Sequence, residues 1–141
     1  MSQTKIFLPL CAMIALTFMV WVRLYVDRIS ELRSRQIAVQ EISTSRQMAE
    51  RLNNTNAADN FKNLFEMPVL FYVFCLTIFV TQSVTLVFVG GSWLYVLLRV
   101  THSAIHCTYN NVLHRFTVYA TSSLLLFGLW FMFGVQILLL G

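Results

Sequence analysis

Arg99-Val100-Thr101-His102-Ser103-Ala104-Ile105-His106-Cys107-Thr108-Tyr109-Asn110 lies in a reach of chain, Met67 to Gly141, whose only formal charges are Arg99 and Arg115. On a helix, at about 100° per residue, Arg99, His102, His106 and Tyr109 fall within an arc of roughly 80°. An ionisable stripe inside an apolar span is costly in hydrocarbon. This one is therefore predicted to face a protein-lined cavity and to mark the functional site.

Working outward, the sequence reads as an all-α integral membrane protein. Hydrophobic residues make up 57% and charged residues 11% of 141, against about 25% charged in an average soluble domain. Four segments approach the ~20 residues that cross a bilayer as helix: about 6–26, 65–86, 93–112 and 116–140, the second helix starting near Ala57. Gly90-Gly91 reads as the turn between the second and third, and the polar patch around His114 and Arg115 separates the third from the fourth. Such short connections predict antiparallel neighbours and a four-helix transmembrane bundle, with residues 1–141 as one membrane domain. Lys5 before an apolar run also fits a signal peptide. The run is long, however, Leu10 before Cys11 is a poor lipobox ending, and Arg23 and Arg28 follow as a stop-transfer flank, so the reading is a retained span.

Orientation follows from the basic residues. Arg23, Arg28, Arg33, Arg35, Arg46, Arg51 and Lys62 lie in or beside the first connection, residues 27–56, whereas the second carries no charge and the third holds Arg115. The positive-inside rule puts the first and third connections in the cytoplasm and both termini outside. The net charge of +4 is accounted for by this topology and by anionic lipid, without nucleic acid. The first connection reads as a solvated extension of the first helix plus an interfacial segment. Cys11, Cys75 and Cys107 are too far apart for a local metal motif and read as packing residues. No metal site, Gly-rich phosphate loop or Ser/His/Asp order is evident.

The polar groups converge on one level. Asp59, Lys62, Asn63 and Glu66 recur at i, i+3, i+4 and i+7, one face of a helix. His102, His106, Arg115 with Tyr119 one turn on, and Arg23 and Arg28 all approach the same cytoplasmic end. A purely structural arrangement would pair Glu66 with Arg99 or Arg115 and let the other arginines snorkel. As a site, the excess cations, one glutamate, one amide and phenols suit a small zwitterion with more than one carboxylate, because arginine pairs with carboxylates bidentately. An arginine beside a thiol would favour the reactive thiolate. An opening to the apolar bundle surface would admit a lipophilic second substrate.

These residues carry a family likeness. Asn63-Leu64-Phe65-Glu66 followed by Pro68 resembles the Asn-x-x-Glu glutathione motif of the MAPEG superfamily, the membrane-associated proteins in eicosanoid and glutathione metabolism. Arg99-Val100-Thr101-His102 with His106, then Arg115 and Tyr119, is similar in spacing to the third- and fourth-helix site of the family's prostaglandin E synthases. Val22-Arg23-Leu24 looks like the end of the family's first helix, and Asn60 to Tyr72 looks like its bacterial branch.

The resemblance implies a homotrimer in a bacterial inner membrane, with glutathione as co-substrate bound between subunits. Arg115 would stabilise the thiolate. Asn63 and Glu66 would hold the glutathione backbone with Lys62 and Arg99, and Arg23 would come from the adjacent subunit. His102 and His106 would line the pocket, and Tyr119 belongs to the same constellation. Trimerisation also has a physical motive, since a subunit interface supplies partners for arginines that one thin bundle satisfies poorly. Three positions depart from the family pattern: Asp59 stands where those synthases have an arginine, His106 where they have a tyrosine, and Phe116 where a serine follows the arginine. The expected function is a glutathione-dependent transferase or peroxidase acting on lipophilic electrophiles. The alternative is a non-enzymatic membrane binding or scaffold protein on the same fold. A haem protein ranks last, because His102 and His106 on one helix cannot clamp both faces of one haem.

Overall fold

A computed structural model describes residues 2–140 and is helical throughout its regular structure. The main elements are α1 (Phe7–Ser34), α2 (Ser45–Arg51), α3 (Asn56–Asn63), α4 (Met67–Val80), α5 (Leu86–Cys107) and α6 (Val112–Leu140), with short 3-10 turns before α1 and before α2. α1, α3 with α4, α5 and α6 give four stretches long and apolar enough to cross a membrane. The chain thus has the helical inventory of a multi-pass integral membrane protein.

Two contacts fix which connections share an end. Asn110 donates from Nδ2 to Asn56 Oδ1 at 2.8 Å, so the third connection meets the end of the first. The Val84 N–H donates to Gln3 Oε1 at 3.1 Å, so the second connection meets the N-terminus at the opposite end. α1 has 28 residues and is about 42 Å long, more than a hydrocarbon core of about 30 Å. Its last turns therefore project beyond the span. There Glu31 accepts the Asn53 and Asn54 N–H groups at 2.7 and 3.3 Å and Arg35 at 3.0 Å, folding the first connection back against the helix.

The turn between the second and third spans is not at Gly90-Gly91. It lies at residues 81–85, where Gln82 adopts a φ of 54° and the Thr85 hydroxyl accepts the Phe88 N–H at 3.3 Å, capping α5. The second span accordingly ends at Val80 rather than near 86. The third runs from Leu86 to Cys107 rather than 93–112, and the fourth starts at Val112 rather than 116. Gly91 serves packing instead: a Cβ there would stand 2.6 Å from Leu129 Cδ2 of α6. Small residues let transmembrane helices approach closely, and close packing drives their association where lipid is as apolar as the side chains. Gly91→Ala is expected to cost about 1 kcal/mol through overpacking, read as a lower melting temperature in detergent. Leu129→Ala in the same chain should add less than its own separate cost, whereas strictly additive losses would show that the two do not oppose each other.

The second span is also interrupted. α3 ends at Asn63 and α4 begins at Met67, with Pro68 in its first turn. Proline has no N–H to give the carbonyl four residues back and its ring clashes with that carbonyl, here Leu64's. The uninterrupted face expected from Asp59 to Glu66 is therefore broken before Glu66. Below the break the core is aromatic: Phe71 stacks on Tyr95 at 4.7 Å, and Phe74 meets Phe88 and Trp130 edge-on at 5.5 and 5.4 Å.

Candidate functional site

The helix break shapes the site. At the interruption the Asn63 carbonyl accepts only a long bond from the Glu66 N–H, 3.4 Å, and Arg99 Nη2 donates to the same oxygen at 3.2 Å. Arg99 is 0% exposed. Its guanidinium carbon lies 5.4 Å from the centre of the Tyr119 ring, while its Nε and Nη1 are buried with no hydrogen-bond partner.

Arg115 enters from the first turn of α6, which Asn111 caps by accepting the Leu113 and His114 N–H groups at 3.0 and 3.1 Å. Its Nη1 donates to His106 Nε2 at 2.9 Å and to Asn110 Oδ1 at 2.8 Å. Arginine only donates, so His106 Nε2 is the acceptor and its ring is the neutral Nδ1–H tautomer. His102 Nδ1 sits 3.2 Å from the Arg115 carbonyl and must donate to it, again fixing Nδ1–H and leaving Nε2 buried and unpartnered. The His102 ring is 5.7 Å from both His106 and Tyr119.

Beside them lies a cavity of about 170 Å³ lined by Asn63, His102, Val112, Arg115, Phe116 and Tyr119; Arg99 and His106 touch these lining residues from behind. Neither Arg99 nor Arg115 has a carboxylate within 4.0 Å among the described residues, whereas Arg23, Arg35, Arg46 and Arg51 all do. The internal salt bridge of Glu66 with Arg99 or Arg115 is thus not formed within the chain: Glu66 is exposed where α4 begins. A buried arginine and a half-buried one, both without a carboxylate, attract an anion, and their forked N–H groups match a carboxylate or an ionised thiol.

The structure gathers Asn63, Arg99, His102, His106, Arg115 and Tyr119. It does not bring Arg23, Lys62 or Glu66 to them within one chain. Arg23 is exposed and pairs with Asp27 at 2.9 Å. Lys62 leans toward Asp59 at 3.9 Å and faces α1 rather than the cavity. Tyr109, expected on the same helical stripe, lies past the end of α5, is exposed, and meets His114 at 3.2 Å.

Two asparagines complete the site without having been singled out. Asn60, fully buried, accepts from the Ser103 hydroxyl at 3.3 Å and donates toward Cys107 Sγ at 3.5 Å, fastening α3 to α5. Asn110, at a φ of 46°, holds Arg115 on one side of its amide and Asn56 on the other. Asparagine tolerates that left-handed backbone, and the Asn110-Asn111 pair in a turn was the signal available for it.

The profile of the MAPEG family matches residues 6–135 of the chain. No curated protein and no solved structure matches it.

Proposed function

Starting from the premise that this chain belongs to the MAPEG family of membrane proteins, we propose that it is a glutathione-dependent membrane transferase or peroxidase acting on lipophilic electrophiles. One observation carries the reading: Arg115 lines the cavity and Arg99 lies behind it against Asn63 and Tyr119, neither with a carboxylate within 4.0 Å among the described residues. Glutathione would supply two carboxylates and a thiol. Arg115, whose Nη1 is engaged by His106 and Asn110, keeps Nε and Nη2 for the thiolate. Arg99, bonded to the Asn63 carbonyl, would meet a carboxylate, His102 and Tyr119 wall the pocket, and His106 holds Arg115 from behind.

A cavity of about 170 Å³ is small beside the ~300–1,000 Å³ of ordinary ligand pockets. The rest of the tripeptide needs a second surface, which supports a homotrimer with sites between neighbours. There Glu66 and Lys62, with Arg23 of the partner subunit, would join the site; none of the three meets the cavity within a single chain. The basic first connection would face the cytoplasm, and the membrane would be a bacterial inner membrane.

A second reading, a ligand-holding relative without turnover, is favoured by one feature. Phe116, an apolar side chain, borders the cavity beside Arg115 and offers no hydroxyl to assist the thiol. Calorimetric titration of glutathione into the detergent-purified protein, paired with thiolate absorbance near ~240 nm, separates the two. Binding with a thiolate signal at neutral pH is the expected result. Binding without it selects the second reading, and no binding refutes glutathione as the ligand.

A further inference from the structure

A different feature lies along α1. An apolar groove of about 580 Å³ runs between α1 and α4, walled by residues that include Ile14, Phe18, Trp21 and Leu76. From Phe7 to Trp21 it follows α1 for about 21 Å, more than half of a hydrocarbon core about 30 Å thick. Its two hydroxyls, Thr17 and Tyr72, stand 3.5 Å apart, and Thr17 also donates to the Met13 carbonyl at 3.0 Å. The groove therefore asks little hydrogen bonding of an occupant and suits a hydrocarbon chain.

Its mouth has another character. The groove continues past Trp21 and Phe61 into a hollow of about 220 Å³ whose polar members are Tyr25, Arg28 and Lys62. Along one face of α1 the order is Phe18, Trp21, Tyr25, Arg28. Phe18 and Trp21 stack at 5.9 Å, Trp21 meets Tyr25 edge-on at 4.9 Å, and the Arg28 guanidinium lies 6.0 Å from the Tyr25 ring. Apolar wall, aromatic belt and cation thus follow one another as tail, interface and headgroup do in a leaflet. Lys62 is drawn toward Asp59, but Arg28 has no carboxylate within 4.0 Å among the described residues.

We infer that this groove is a binding site for an anionic phospholipid of the bilayer leaflet facing the first connection, its acyl chain along α1 and α4 and its phosphate on Arg28. Simple snorkelling explains a cation at a helix end. It explains neither the groove leading to that cation nor the missing carboxylate. The site is separate from the arginine cavity and stands whether or not glutathione binds there.

Native mass spectrometry of the full-length protein, with phosphatidylglycerol and phosphatidylcholine offered in equal amounts, tests it. Phosphatidylglycerol should be retained preferentially, and Arg28→Ala should remove about fivefold of that preference. Ile14→Trp, which fills the groove and leaves the cation, should lower retention of both lipids. Equal retention by the unaltered protein, or a preference that survives Arg28→Ala, overturns the site. A photo-crosslinking residue in place of Ile14 in native membranes should form lipid adducts, and adducts between subunits would instead seat a second copy in the groove and overturn it.

Discussion

Arg115→Ala is expected to lower turnover with glutathione at pH 7 by about 30- to 100-fold while weakening glutathione binding only a few-fold. A free thiol with a pKa near 8.5 is only about 3% ionised at pH 7, so losing the charge that stabilises the thiolate alone costs about 30-fold. Loss of orientation adds to that. The sign of the pH dependence follows. As pH rises past about 8.5 the thiol ionises unaided, so the deficit of the variant should shrink, and at pH 9 most of it should be gone. Arg115→Lys keeps the charge, but an ammonium placed between His106 and Asn110 as Nη1 is, at 2.9 and 2.8 Å, has no second and third nitrogen left for the thiolate. It should fall between the two. A deficit that stays constant with pH would refute a thiolate role, and a rise in KM with kcat unchanged would make Arg115 a binding residue.

The bundle was legible because lipid imposes one rule, runs of about 20 apolar residues, and the sequence obeys it four times. Its boundaries were less so. Gly90-Gly91 has the composition of a turn, yet glycine is also what a transmembrane helix needs where a neighbour presses in, and only the position of Leu129 decides between the two. Polar residues at 81–83 marked the actual turn but lack glycine and proline.

In the site, Arg99, His102 and His106 followed from helical spacing because α5 is continuous through all three. The same spacing misled at Tyr109, beyond the helix end, and at Glu66, beyond the break. Pro68, two residues past Glu66, was the signal for that break. Asn60 was invisible because a buried amide between two helices looks, in sequence, like any polar residue near a helix start. Arg23, Lys62 and Glu66 do not meet Arg115 within one chain, and spacing along the sequence carries no information about how they point in three dimensions.

Arg99→Met is expected to reduce glutathione affinity by about 30-fold or more while raising the melting temperature of the ligand-free protein by a few degrees. The two halves have one cause. A guanidinium with 0% exposure and two unpartnered nitrogens carries an effective desolvation penalty of several kcal/mol. Against this stand one charged hydrogen bond to the Asn63 carbonyl, worth about 1.5–3 kcal/mol, and the contact with Tyr119, worth about 0.5–2 kcal/mol. The desolvation term wins narrowly, and methionine of similar length refills the space. An anionic ligand reverses the balance by pairing the charge, so removing the arginine costs about 2–5 kcal/mol of binding. Differential scanning of both proteins with and without glutathione checks both halves at once. If Arg99 is only a strut between α3, α5 and α6, the free variant melts lower and glutathione shifts both proteins equally, and the placement of Arg99 in the ligand site falls.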